Sequence, residues 1–187
     1  MKQRNYLAWL AFSTTAFGLI GSVSAAEWQL AQGMGSVQFS AVQQGTKFTG
    51  RFETFSAQIN IDPAAVESGS IVGTVDTSTV NTRDHDRDAA LTDMDWFDSA
   101  NTPETSFKST SITAGDDGGY VAEGTLTLKG TEKPATMNFN FAASGSTAKF
   151  NGTMTVNRFD FNVGQGWNDT SWVGQDVEVQ IALELVQ

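Results

Sequence analysis

The chain predicts an all-β fold, an eight-stranded antiparallel barrel with a short helical lid insertion around residues 82–98, and three observations carry that expectation. Apolar and polar residues alternate with period two in short runs along most of the chain. Eight such runs are counted when Lys47 to Asp62 is taken as one bent strand, the number for a small closed barrel that either holds one ligand or fills itself with side chains. One long interruption, Asp76 to Phe107, breaks a pattern whose other connections are short.

The first residues stand apart from this pattern. Lys2 and Arg4 precede an apolar run from Tyr6 to Ile20, and Val23-Ser24-Ala25 places small residues at a cleavage site, so residues 1–25 are expected to be a secretory signal peptide and the mature chain to begin at Ala26. The run is short for a membrane span and is broken by Ser13, Thr14 and Thr15. The chain contains no cysteine, which excludes a disulfide framework and a lipid-anchored lipoprotein. Residues 26–187 are one domain's worth of chain, long enough to bury a core without staples. Without Lys2 and Arg4, 9 basic residues face 21 acidic ones, a net charge of −12. Such a surface repels nucleic acid and anionic headgroups at long range, and the expected location is the periplasm.

The strands follow in order. Val37, Phe39 and Ala41 alternate with polar neighbours, and Gln44-Gly45 reads as the turn into Lys47. Phe48, Gly50 and Phe52 share one face whereas Phe55, Ala57, Ile59 and Ile61 have the opposite parity, so a bulge or bend is expected near Glu53 and Thr54. Ile71, Gly73 and Val75 form the next inward set, then, beyond the insertion, Phe107 to Ile112. Gly115 to Gly119 is a strong turn cluster leading to Gly124, Leu126 and Leu128, followed by Ala135, Met137, Phe139 and Phe141, then Phe150, Gly152, Met154 and Val156. Val177 to Leu185 alternates without a fault. The apolar face is placed inward, because a membrane barrel would line its lumen with the polar face and crowd it with acid on the last strand.

Within the insertion, Arg83 to Leu91 has few β-branched residues and no Gly or Pro, and Asn81 or Thr82 can serve as N-cap, which predicts a short helix. Met94, Trp96 and Phe97 are expected to plug a barrel end or pack on its rim. Asp84, Asp86, Asp88 and Asp95 half-match a calcium loop, but Ala89 stands where the loop needs Gly and Arg87 brings a cation, so these carboxylates are read as helix caps or partners of Arg83 and Arg87, and no metal is assigned.

The order Arg87-Asp88, Leu91, Trp96-Phe97-Asp98, Pro103 to Phe107 resembles the signature of the YceI-like family. Gly50-Arg51-Phe52, Asp62-Pro63, Gly124 to Leu128, Lys129 to Pro134, Arg158 to Phe161 and the strand from Val173 fit the same pattern, so the resemblance covers nearly all of the chain after residue 28. It implies a soluble lipocalin-like barrel that binds polyisoprenoid chains. One position departs: Ala90 stands where many members carry a histidine, so a head-group contact from that imidazole is lost here.

Given that resemblance, candidate ligand-binding residues are the inward aromatics Phe39, Phe52, Phe107, Phe139, Phe150 and Phe159, with Val75, Leu126 and Met154 on the same faces and Trp167 in the Gly-rich loop before the last strand. Arg83, Arg87 and Arg158 are the guanidinium forks considered for a head group. Gly50, Gly73, Gly124 and Gly152 all fall on inward parity, where they either leave room for a ligand or relieve strain at barrel corners. No cofactor and no catalytic residue is assigned. The expected function is a periplasmic carrier of an isoprenoid lipid, quinone or polyprenyl phosphate, with transient contact to inner-membrane quinone-using proteins and dimerisation left open. Two alternatives stand beside it: a lipid-modifying enzyme using His85 and nearby carboxylates, and a solid barrel that docks on another protein.

Overall fold

The structure, a computed structural model, describes residues 26–187, and the expected signal peptide lies outside the described residues. The strands are β1 (Glu27–Gln43), β2 (Thr46–Phe52), β3 (Phe55–Asn60), β4 (Ser70–Asp76), β5 (Val80–Asn81), β6 (Glu104–Ala114), β7 (Tyr120–Leu128), β8 (Thr131–Ser144), β9 (Thr147–Asn157) and β10 (Asp176–Val186), with one helix, α1 (His85–Thr92). They form one antiparallel sheet in the order β10-β9-β8-β7-β6-β4-β3-β1-β2-β5, and pairing of β10 with β1 closes it. Eight staves result, because β2 and β3 are two halves of one bent strand. β2 pairs with the C-terminal half of β1, and β3 pairs with its N-terminal end. The bend falls at Glu53-Thr54, whose backbone N–H groups donate to Thr79 O (3.1 Å) and Thr79 Oγ1 (3.0 Å). Two short edges thus find partners that the ladder cannot supply.

Turn chemistry fixes the register of the hairpins. Gln44 and Gly45 both have positive φ (50° and 75°), as do Lys129 and Gly130 (50° and 68°), the two-residue geometry whose twist matches paired strands. β1 extends ten residues before the alternation that begins at Val37, and its pairing with β10 slips between Leu30 and Gly35. That irregularity hides the N-terminal half of β1 from a period-two reading. It carries Trp28, which is fully buried, donates its indole N–H to Ile61 O (2.9 Å) and meets Phe141 edge-on at 5.5 Å. Tyr120, Phe139 and Phe150 stack beside it, with centroid spacings of 5.5 and 5.0 Å, and together these rings seal one end of the barrel.

The two longest connections, β4 to β6 and β9 to β10, gather at the other end. The insertion leaves β4 through a 3₁₀ turn (Thr77–Thr79), adds β5 to the edge of β2, and crosses the mouth as α1. The helix starts two residues later than expected. Arg83 has φ of 60°, outside the helical region, and Asp84 is the N-cap, accepting from Arg87 N at 3.1 Å. Thr82 instead donates both its backbone N–H (2.7 Å) and its hydroxyl (2.6 Å) to Asp88 Oδ1. Leu91 and Val80 pack on Phe39, with Phe52, Trp96 and Phe97 against them, so the insertion plugs the rim as expected, except that Met94 points to solvent with 73% of its surface exposed.

Candidate functional site

A cavity of about 600 Å³ runs from the mouth down the barrel axis. Ligand pockets span roughly 300–1,000 Å³. Its floor is set by Ile59, Ile71, Phe150 and Leu183, its walls by inward side chains of β1 to β4 and β6 to β10, and its roof by Leu91, Trp96 and Phe97 of the insertion. The lumen is therefore open, which excludes the solid barrel. Its apolar residues face inward, as expected from the acid that the last strand would otherwise put into the lumen.

Of the residues selected from sequence, Phe39, Phe52, Val75, Phe107, Leu126, Phe150, Met154 and Trp167 line this cavity. Phe139 does not, because it is sandwiched between Tyr120 and Phe150 in the sealed end. Phe159 does not either. It sits in a 3₁₀ turn (Arg158–Phe161) beneath the guanidinium of Arg158, 4.0 Å from its ring centre. Sequence reasoning leaves out Phe48, Phe97, Val177 and Val179, which line the wall and roof. Their inward parity is legible, but their depth relative to the mouth is not.

The glycines divide by what stands beside them. A Cβ at Gly50 would lie 2.6 Å from Phe39 Cε1, one at Gly124 would lie 2.7 Å from Phe107 Cζ, and one at Gly152 would lie 3.0 Å from Met137 Sδ. These three make room for neighbouring side chains. Gly73 is different: the nearest atom to a methyl group placed there is a backbone oxygen 4.0 Å away, so it alone of the four opens the wall to the cavity.

The cations also divide. Arg83 does not line the cavity. Arg87 does, at the mouth, where Nε donates to Thr82 Oγ1 (3.0 Å), Nη1 donates to Gln43 Oε1 (3.1 Å), and the guanidinium lies 4.3 Å from the Phe48 ring centre. Asp84 Oδ2 is 3.7 Å from Nη2, and Asp84 and Asp86 share the rim. Arg158 is 3% exposed and donates to five main-chain carbonyls: Gly174 (3.0 Å), Val163 (2.9 Å), Gly164 (2.8 Å), Trp167 and Val173 (3.0 Å). Burial pushes its pKa down, but guanidinium basicity keeps it charged. With all five N–H donors in use it is the hub of the 162–175 loop and has none left for a head group. Sequence reasoning places it among head-group ligands because its partners are carbonyls, which leave no residue signature.

His85, the chain's only histidine, is almost wholly exposed, 3.7 Å from an equally exposed Asp86, at the outer start of α1. It does not line the cavity.

A closed eight-stranded barrel with an apolar lumen, capped at one end and sealed at the other, defines a binding protein for an elongated apolar ligand. The comparisons give its family: the profile of the YceI-like domain matches residues 28–185, and the chain belongs to that family. A UPF0312 protein of Pseudomonas savastanoi pv. phaseolicola is 30% identical over 158 residues, covering 81% of this chain and 80% of that one. A UPF0312 protein of Vibrio cholerae is 29% identical over 152 residues, covering 78% and 80%. The crystal structure of Burkholderia cenocepacia BcnA superposes with a TM-score of 0.77 at 30% identity, over 82% of this chain and 96% of that one. A polyisoprenoid binding domain from Saccharophagus degradans shares the fold, with a TM-score of 0.64 at 16% identity, over 85% and 97%.

Proposed function

We propose that this chain is a periplasmic binding and carrier protein for an isoprenoid lipid whose polar end is uncharged, an isoprenoid quinone in preference to a polyprenyl phosphate. The observation that carries the reading is the contrast between a long apolar cavity and a mouth without a free cation among the described residues that line it. A diphosphate asks for several convergent cations. The cavity offers Arg87, already shared among Thr82, Gln43 and Asp84, and Arg158, whose donors are all engaged, while Asp84 and Asp86 add negative charge. A quinone asks only for donors. The polyisoprenoid binding of the similarly folded Saccharophagus domain supports the ligand class.

Energetics favour carriage over storage. A prenyl chain gains about 0.8 kcal/mol per CH₂ on leaving water, but a bilayer offers the same gain, so transfer between membrane and barrel is near neutral and reversible. The ligand can then be returned to inner-membrane proteins that use quinones. The exposure of His85 away from the cavity supports holding the ligand rather than transforming it.

The test is organic extraction and mass spectrometry of the mature protein, purified from a periplasmic fraction without detergent. A stoichiometric isoprenoid quinone is the expected result. A prenyl diphosphate would overturn the head-group reading, and a protein that arrives empty and takes up neither class would overturn the carrier reading.

A further inference from the structure

Gly73 stands bare where the other inward glycines are covered. It pairs with Ala57 on β3 and with Phe107 on β6, so a methyl group lies on one side of it and an aromatic ring is within reach on the other. That ring goes elsewhere. Phe107 Cζ and Cε2 would lie 2.7 and 2.8 Å from a Cβ at Gly124, so the ring leans over β7 and leaves its cross-strand partner open. At Gly50 the ring of the cross-strand partner, Phe39, does cover the glycine. The cavity takes its shape from this difference. Along the strands it is bordered by residues of inward parity, except around Gly73, where Ser56, Thr74 and Ser106 join its lining. Thr74 follows Gly73 in the chain and pairs with both Ser56 and Ser106, and the exposed hydroxyls of Ser56 and Thr74 bond to each other at 2.7 Å. With their side chains turned outward, these three residues meet the cavity through main chain, so at this level the lumen extends to the sheet itself.

The position also has a defined depth. Val75, two residues toward the mouth, and Ile71, two residues toward the floor, both line the cavity, and each lies roughly 7 Å along the strand from Gly73. A side chain at position 73 would project into the lumen halfway down. Charged groups border the cavity at its mouth and apolar ones at its floor, so a ligand with a polar head and a prenyl tail sits head-up. Resting on the isoprenoid reading above, we propose that Gly73 is the residue that determines tail-length specificity: it keeps the bore open at mid-depth, so that a tail whose head stays at the mouth passes on toward Ile71 and Phe150. A single prenyl unit, four carbon–carbon bonds or roughly 5 Å end to end, stops above that level, and longer tails must cross it.

The experiment compares wild type, Gly73→Val and Gly73→Leu for binding of a ubiquinone with a single prenyl unit and of one whose tail has several, and records Tm of the ligand-free proteins. Valine suits a strand and takes part of the space; leucine takes more of it. The expected result is a loss of roughly tenfold or more in affinity for the long-tailed quinone in the leucine variant, the worth of about two excluded methylenes, with the single-unit quinone held within about twofold. The valine variant loses less, and ligand-free Tm is unchanged or raised in both, since the new side chains enter open apolar space. Long-tail affinity that survives in the leucine variant overturns the proposal. So does an equal loss for both quinones, which would put the head group at Gly73, or a lowered ligand-free Tm in both variants, which would mean that position 73 faces no free space. If wild type binds neither quinone, the isoprenoid reading itself fails, and the gauge with it.

Discussion

At position 158 a single side chain determines the shape of a loop. Arg158 reaches five carbonyls spread between Val163 and Gly174, so the 162–175 segment is wrapped round a guanidinium in place of a hydrophobic centre. Lysine has only three donors on a point charge and cannot reproduce that fan. Arg158→Lys is therefore expected to destabilise the protein by about 2–4 kcal/mol, read from the urea midpoint, because it leaves buried carbonyls unmet. The glycines allow a paired test. Gly124→Ala drives a methyl into the Phe107 ring and the Lys108 carbonyl and is expected to cost about 1–3 kcal/mol. Gly73→Ala meets open space and is expected to leave Tm unchanged or raised, since Gly is unfavourable within a strand by roughly 0.5–1 kcal/mol relative to Ala. Equal losses at both positions would overturn that distinction. Parity in the sequence puts all four glycines on the inner face. Whether a ring from the next strand or an empty lumen lies opposite depends on neighbouring rotamers, which periodicity does not encode.

Elements are most legible where one face is buried and the other wet. β10 alternates throughout, and the bend between β2 and β3 follows from a parity switch that a straight strand cannot accommodate. The start of α1 is not legible, because Arg83 takes a left-handed conformation that its residue type does not announce, so the cap passes from Asn81 or Thr82 to Asp84. Asp84→Ala is expected to weaken the first turn by about 1 kcal/mol. Because that helix buries little besides Leu91, the effect should appear as faster amide exchange in residues 85–92 and leave the global unfolding midpoint nearly unmoved. Another test concerns the β1–β2–β10 corner. Lys47 chiefly, then Gln180, hold the Glu178 carboxyl below its usual range, and Arg51 followed by Asn81 do the same for Glu53. A depressed carboxylate contributes stability that is complete above the ordinary carboxylate pKa and drains away as pH falls through and below it. Acid should therefore lower Tm, and Glu178→Gln should flatten part of that fall while giving up a little stability at neutral pH.

On the scale of the whole molecule, the two barrel ends do different work. One is stopped by Trp28, Phe139, Phe141 and Phe150; the other carries the two longest connections and the opening of the cavity. This division is not visible in the sequence, since inward residues at either end look alike until the strand directions set their depth. Surface charge is also a whole-molecule property. With −12 on residues 26–187, self-repulsion works against the compact state, and raising ionic strength, which shortens the screening length to a few Å at molar salt, should raise Tm of the ligand-free protein. A fall in Tm with salt would mean that local pairs such as Lys47–Glu178 outweigh that repulsion. The placement of the tryptophans makes the barrel its own optical probe. Trp28 is sealed from solvent at the stopped end and should emit toward the blue, whereas Trp167 and Trp172, about half exposed, flank the opening and should emit toward the red. A light-absorbing cargo held below the opening dims the red emitters before the blue one, so loading and release can be timed on the unlabelled molecule.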